Sequence, residues 1–513
     1  MLARAQTFTI EGLQTRKVTV EVDIRSGLPT FAIVGLADAA VREARDRVQA
    51  AILNSGYEFP AQRITANLAP GDVPKAGPSF DLVLACAVLA ASGQLPLERL
   101  ASHALFGELS LDGEVRPCHG SLAIAQATHE AGLRALVLAP ERAREASLVE
   151  GLRVVAARCL QSAVRVLSGG AGDAAAPASS ALYGQRGDAL ALSEPDLRDV
   201  RGQRPAVRAL LVAAAGAHNM LMCGPPGTGK TMLAQRLPSI LPPLTRGEAI
   251  EVTRIHSITG ALDGEELVRT RPFRSPHHSV TTAGLIGGAK RGWVGEVVLA
   301  HNGVLFFDEL SEFSRAALEA LRQPLEDGRV AIVRARHSAV YPARLMLVAA
   351  TNPCPCGYLG EAERCNCNEA DINRYRRKLS GPLLDRIDLL ATVERPSAGE
   401  LREPPVIDSR EARELVLRAR ERQAARLSDE GIVANAQMDV GMLRRHVVLD
   451  ESGVQMLRRV QEQDVLSARG QHRLLRVART VADLEGSRHT GRKHLAEALG
   501  WRPEAVLESR RVA

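Results

Sequence analysis

Residues 224–231 read GPPGTGKT, between the apolar run NMLMC and an amphipathic stretch. This is the strand–loop–helix context in which a glycine-rich loop wraps phosphate groups with its backbone N–H donors. Gly224, Pro225, Pro226, Gly227, Thr228 and Gly229 form the loop, Lys230 reaches the β- and γ-phosphates, and the Thr231 hydroxyl is a magnesium ligand. The run GVLFFDEL places two carboxylates at a strand end: Asp308 to hold magnesium, directly or through water, and Glu309 to polarise an attacking water. Asn352 closes a further apolar strand, RLMLVAATN, and suits a polar group that orients that water. The expected chemistry is hydrolysis of ATP with Mg²⁺.

Two arginines extend the set. Arg386, between Asp385 and Asp388 in SGPLLDRIDL, suits a finger offered to the γ-phosphate of a neighbouring subunit, which implies a ring; the alternative is an ion pair with one of those aspartates. Arg469, in SARGQHRLLRVART, opens a helix from which it reaches the phosphate of its own chain, with Arg473 and Arg476 as rivals. Cys354, Cys356, Cys365 and Cys367 form two Cys-x-Cys pairs within fourteen positions. Four thiolates close a tetrahedral zinc site with no open position, so the expectation is structural zinc, with free thiols as the alternative. The remaining cysteines are scattered and are expected to be reduced.

The elements that must position these groups follow from patterning. At 513 residues the chain exceeds one core, and about 150 residues per domain predicts three. A hydrophobic share of 45% with 24% charged residues fits a globular protein, and no apolar run reaches the roughly 18–20 residues that span a bilayer. With no signal-like N-terminus, a cytoplasmic protein without membrane contact is expected. The net charge of +6 permits nucleic-acid binding without requiring it. Residues 1–168 read as a mixed α/β domain, with RKVTVEVDI alternating as a strand and DAAVREARDRVQAAILNSG as an amphipathic helix. Residues 169–192, rich in Gly, Ala, Ser and Pro, read as a flexible linker. Residues 193–395 alternate apolar strands with helices, the pattern of a parallel sheet covered on both faces, and 396–513 read as a helical lid.

With DVRGQ, GPPGTGKT, GVLFFDEL, AATNPCPCG, SGPLLDRIDL and RVARTVADLEG in this order, residues from about 195 to 510 resemble an AAA+ module of the magnesium chelatase-like group. FRSPHHSVTTAGLIGG and GEVVLAHNGVLFFDEL narrow the resemblance to the YifB/ComM family over nearly the whole chain. It implies an α/β multidomain protein: a Lon-protease-like (ribosomal S5 domain 2-like) α+β N-terminal domain, an AAA+ core and a helical lid.

The stretch GDVPKAGPSFDL is similar to the serine loop of Lon-type Ser–Lys proteases, with Ser79 at the nucleophile position. A serine hydroxyl needs an adjacent base. The lysine position falls on Leu122, no lysine occurs between Leu109 and Ala139, and Phe80 and Asp81 replace the small residues that follow the serine in Lon. Lys75, four residues before Ser79, is poorly placed to substitute. Ser79 is therefore expected to be structural, capping the helix that begins near Asp81, and the domain to be proteolytically inactive.

Lys230 and Asp308 are 78 positions apart, against about 40–50 for two helices, a strand and short loops. The excess, from Ile255 to Glu296, reads as a basic insert carrying Arg274, His277, His278, Lys290 and Arg291 toward a ring pore. A β-hairpin over DGRVAIVRARHSAVYP brings Arg334, Arg336 and His337 near its tip. Both segments are candidate grips on a phosphate backbone, or bridges between subunits. The resemblance implies a hexameric, ATP-driven helicase acting on single-stranded and branched DNA, promoting branch migration in natural transformation. A chelatase-type remodeller of protein partners is the alternative.

Overall fold

The computed structural model describes residues 1–36, 38–75, 77–173, 195–262, 267–288, 294–334, 337–360, 363–378, 381–462 and 466–502; the side chains of 39, 333–334, 337–338 and 381–382 are outside the description. These residues group into two compact units. The first takes the described parts of 1–186, 246–268 and 335–340, and the second those of 187–245, 269–334 and 341–513.

The first unit is built on a seven-stranded mixed sheet. Its strands are β1 (Leu2–Glu11), β2 (Gln14–Arg25), β3 (Thr30–Val34), β4 (Arg63–Ala69), β5 (His103–Phe106), β6 (Ala135–Leu138) and β7 (Arg153–Ala156), in the order β3-β4-β2-β1-β5-β6-β7. β2 buries Val18, Val20, Val22 and Ile24 and turns the residues between them outward, the period-two pattern of a sheet with one covered face. Helix α1 (Ala39–Asn54) starts where Asp38 Oδ1 accepts the Val41 N–H at 2.9 Å. Helix α2 (Asp81–Ala91) is apolar all round and is buried along its whole length. The cap expected from Ser79 is not made: Phe80 holds the N-cap position with no side-chain hydrogen bond. The first turn is fixed by Asp81, which accepts two hydrogen bonds from Arg47, at 2.8 and 3.1 Å.

The second unit carries a five-stranded parallel sheet of β8 (Met220–Cys223), β9 (Phe273–Arg274), β10 (Val304–Phe307), β13 (Met346–Thr351) and β14 (Leu389–Thr392), ordered β9-β10-β13-β8-β14. Strands β11 (Arg329–Arg334) and β12 (His337–Pro342) pair as the expected two-stranded hairpin. All six residues of β13 are buried, because a central parallel strand is covered on both faces. The register sets Met222 beside Ala350 and Phe306 beside Val348, so β8, β10 and β13 end along one edge. Helices α5 (Arg204–Gly216), α9 (Ser409–Leu427), α10 (Ala468–Leu484) and α11 (Arg492–Gly500) share one apolar cluster with this sheet, in which Val416, Val477 and Leu495 join Phe306 and Val348. Among the described residues no helix is long and apolar enough to cross a membrane.

Part of the stretch expected as an insert of the ATPase core belongs to the first unit. Helix α7 (Arg246–Thr259) packs there on α3 (Ser121–Glu130) and α4 (Pro140–Ala146). The Gly120 N–H donates to Ser257 Oγ at 3.1 Å, and Ser257 Oγ donates to the buried Glu145 carboxylate. That carboxylate also accepts the Leu122 N–H at 2.8 Å and pairs with Arg142 at 3.3 Å. Arg254 adds a bond to the Leu13 carbonyl, and Arg246 an ion pair with Glu150 at 2.5 Å.

Candidate functional site: a phosphate loop beside a four-cysteine cluster

The loop between β8 and α6 (Lys230–Gln235) is shaped by its glycines. Gly227 and Gly229 adopt φ of +75° and +91°, and Gly229 is the N-cap of α6. A Cβ on Gly224 would stand 2.0 Å from the Val393 carbonyl oxygen, so only glycine lets the loop leave the sheet there. Backbone N–H groups at the start of a helix then face the site, where the helix dipole favours anions.

The residues expected to act on the phosphates converge. Lys230 Nζ donates to Gly224 O at 2.7 Å, Pro225 O at 2.8 Å and Asn352 Oδ1 at 3.1 Å. Burial holds the Lys230 ammonium below its ordinary value, opposed by the charges of Cys223, Asp308 and Glu309. Thr231 Oγ1 donates to Asp308 Oδ2 at 2.8 Å, so the two prospective magnesium ligands already touch. Oxygen donors of this kind suit a hard cation. Glu309 follows with left-handed φ and ψ of 51° and 55°, and its carboxylate is exposed at the strand end. A non-glycine residue in that conformation is costly and is characteristic of functional sites.

Arg386 and Arg469 are placed elsewhere among the described residues. Arg386 forms its ion pair with Glu326, while Asp388 accepts the Asn219 N–H at 3.2 Å and Asp385 lies 3.9 Å from Arg473. Arg469 is exposed in the first turn of α10, after the Ser467 cap. Its rivals are engaged with the protein: Arg473 donates to the Leu384 and Ile387 carbonyls at 3.1 and 2.9 Å, and Arg476 to Met438 O at 2.8 Å.

Of the candidate DNA contacts, Arg274 is held by Glu296 in a two-pronged pair, at 2.6 and 2.9 Å. His277 and His278 are exposed with ring centroids 4.0 Å apart, and His277 Nδ1 lies 2.8 Å from Ser279 Oγ. Lys290, Arg291 and Arg336 lie outside the described residues, as does the side chain of Arg334. Ser79 is half-buried, and Leu122, at the lysine position of a Lon-type site, is fully buried in α3.

Two supports of the loop had no assigned role in the sequence reading. Gln203, within DVRGQ, takes a left-handed φ of 58° and donates to the carbonyls of Thr228 at 3.1 Å and Glu394 at 2.5 Å. Gly357, at φ +86°, closes so tightly on the loop that a Cβ would stand 2.7 Å from Pro226 Cδ.

Gly357 lies inside the cysteine cluster. The four Sγ atoms are within 4.8 Å of one another, with Cys354 at 3.4 Å from Cys356 and 3.9 Å from Cys365, and Cys356 at 3.6 Å from Cys365. A tetrahedron with Zn–S bonds of about 2.3 Å has edges of about 3.8 Å, so the sulfur set fits zinc. None of the four is in a disulfide. The Tyr358 N–H pulls the Cys356 thiol down to about 6, while burial pushes Cys354 up to about 12. A thiolate is thus available to a metal, and binding would release the remaining protons.

Three family profiles match the chain: "Magnesium chelatase, subunit ChlI" over residues 196–401, "Subunit ChlI of Mg-chelatase" over 20–142, and "Magnesium chelatase, subunit ChlI C-terminal" over 407–502. The chain is 44% identical over 503 residues to an uncharacterised protein of Mycobacterium tuberculosis, covering 98% of each. It is 42% identical over 511 residues to the uncharacterised protein YifB of Salmonella typhimurium, covering 98% of this chain and 97% of that one. It is 42% identical over 495 residues to the competence protein ComM of Haemophilus influenzae, covering 96% and 95%. It is also 28% identical to Lon protease 2 of Bacillus subtilis over a 166-residue alignment covering 29% of this chain and 30% of that one.

Proposed function

Because the chain belongs to the YifB/ComM family of magnesium chelatase-like AAA+ proteins, we propose that it is a cytoplasmic, ATP-hydrolysing homo-oligomeric ring, a hexamer, that moves DNA. In this reading it is a helicase that drives branch migration of recombination intermediates during natural transformation. Residues 1–168 are its proteolytically inactive Lon-like domain, 169–192 a linker, 193–395 the motor core and 396–513 the lid. The observation that carries the ATPase part is the convergence of Lys230, Asn352, Thr231 and Asp308 behind the glycine loop. The DNA part rests on near-full-length similarity to a competence protein.

Lys230 exchanges the Gly224 and Pro225 carbonyls for phosphate oxygens, and Asn352, released from Lys230, orients the water. Thr231 and Asp308 would hold magnesium, which would supply positive charge to offset that of the phosphates. Glu309 positions and polarises the water. Arg386 leaves Glu326 to meet the γ-phosphate of the neighbouring subunit, and Arg469 reaches the phosphate of its own chain. His277, His278 and the basic residues Lys290, Arg291, Arg334 and Arg336 are the proposed DNA contacts. Arg274 contributes less than its charge suggests, because Glu296 neutralises it. Cys354, Cys356, Cys365 and Cys367 would hold a structural zinc that would tie together the two cysteine pairs.

A protein-remodelling function is the second reading. It is favoured by the chelatase descriptions of the matching profiles, including the one over residues 20–142 in the N-terminal domain. The deciding experiment follows ATP-driven strand displacement and branch migration on labelled forked and four-way DNA, with Lys230→Ala as control. Movement that requires ATP and Lys230 is the expected result. No movement, together with an ATPase rate indifferent to DNA, would overturn the DNA motor in favour of remodelling.

A further inference from the structure

The cysteine loop is attached to the nucleotide site at three points. Asn352, whose side chain accepts from Lys230 Nζ at 3.1 Å, is two residues before Cys354. Gly357, between the two cysteine pairs, closes on Pro226 of the phosphate loop, and its N–H donates to the Cys354 carbonyl at 3.0 Å. Helix α8 (Glu369–Lys378) starts two residues after Cys367 and brings Tyr375 back beneath the site. There the Tyr375 hydroxyl accepts from Ser311 Oγ at 2.6 Å, two residues beyond Glu309, and lies 3.5 Å from Thr351 Oγ1, next to Asn352.

Resting on the zinc reading above, we infer that zinc held by the four cysteines is a positioning element for ATP hydrolysis, fixing Asn352 where it orients the attacking water. Between Pro353 and Asn368 the backbone forms no described helix or strand, so the loop has no ladder of its own to hold it in place. Four sulfur–metal bonds supply that restraint, closing a loop of twelve residues at both ends. A cavity of about 580 Å³ lined by Cys356, Cys367, Asp371, Tyr375 and Lys378 gives a cation a way in. The phosphate-binding N–H groups belong to the loop between β8 and α6, which besides Gly357 is braced by Gln203 and by the Gly224–Val393 approach, neither of them part of the cysteine loop. Zinc loss should therefore reach the catalytic step more than nucleotide binding.

The test compares full-length wild type, Cys365→Ser and Cys365→His, all purified in reductant without added metal. Zinc per chain is measured by plasma mass spectrometry, affinity with a fluorescent ATP analogue, and kcat by phosphate release. Wild type should carry about one zinc per chain. Cys365→Ser should lose zinc and at least tenfold in kcat, with nucleotide affinity changed less than about threefold. Cys365→His, which restores a zinc ligand, should recover both metal and turnover. Because Cys365→Ser could fail to fold, wild type is also stripped with a membrane-permeant zinc chelator and reloaded with Zn²⁺; turnover should fall and return with the metal. A wild type without zinc overturns the metal site itself. Zinc that leaves with kcat unchanged, or with affinity and kcat falling together, overturns the positioning role and leaves the metal site standing.

Discussion

Lys230 makes three hydrogen bonds to protein oxygens that it must give up when a phosphate arrives, and Asn352 is the only side chain among them. Breaking that contact frees Asn352 for water at the moment Lys230 is occupied. Removing a positioned polar group from a water-excluding site costs about 10²–10³ in rate, so Asn352→Ala is expected to lower kcat roughly a hundredfold with little change in nucleotide affinity. Glu309→Gln should bind ATP normally and hydrolyse it still more slowly. Equal losses of affinity and kcat in Asn352→Ala would mean that the residue only supports the loop. The proposed site residues were legible from local motifs: Asp308 is the first polar group after the apolar strand VLFF, and Lys230 follows the glycine loop at the start of α6. Their restraints were not. Nothing local to Arg274 says that Glu296, 22 positions away, takes its charge, or that Gln203 carries the Thr228 carbonyl.

At the scale of elements, the strands were legible from apolar runs, and the hairpin of β11 and β12 from alternation, because both signals are local. The place of α7 was not. Its sequence has an ordinary amphipathic pattern, and what assigns it to the first unit is a polar contact 112 positions apart, between Ser257 and Glu145. That contact falls beside Leu122, the position of the catalytic lysine in a Lon-type site, where Glu145 caps the backbone N–H that opens α3. Where the sequence reading places the base of a Lon-type site, the Glu145 carboxylate binds both the α3 N–H and Ser257 of α7. Ser257→Ala should cost about 1–2 kcal/mol locally, and Glu145→Ala about 3 kcal/mol, since the latter leaves the buried Leu122 N–H and Ser257 hydroxyl unsatisfied. The double mutant should cost less than the sum, because both remove one contact. A chain of two units need not unfold in two states, so amide exchange in α3 and α7 is the proper measurement. Strict additivity, with α7 exchanging at wild-type rates, would remove Ser257 and Glu145 as the lock.

At the scale of the whole molecule, the proposed ring would bring a second copy of the chain to the site. Among the described residues, Lys230 bonds to Asn352, Thr231 bonds to Asp308, and the Glu309 N–H bonds to Asp308. Arg386 is paired with Glu326, whose carboxylate is more than half exposed while the guanidinium is largely buried, so its release toward a phosphate requires Arg386 to swing outward. If Arg386 serves a neighbour, it and Glu309 act on one ATP from different chains, and the contact is head-to-tail, as ring closure requires. Two inactive proteins should then rescue each other. Glu309→Gln keeps the finger but cannot hydrolyse, and Arg386→Ala keeps the hydrolytic carboxylate but offers no finger. Mixed in equal amounts and allowed to exchange, about a quarter of interfaces would pair an intact Glu309 with an intact Arg386 from the next chain. ATPase should rise toward about a quarter of the wild-type rate, while each variant alone stays at a few per cent or below. An arginine acting within its own chain would give no recovery at any ratio, since no chain in the mixture carries both groups. Arg386→Lys should behave as Arg386→Ala in the same mixture, because an ammonium lacks the planar fork that spans two phosphate oxygens.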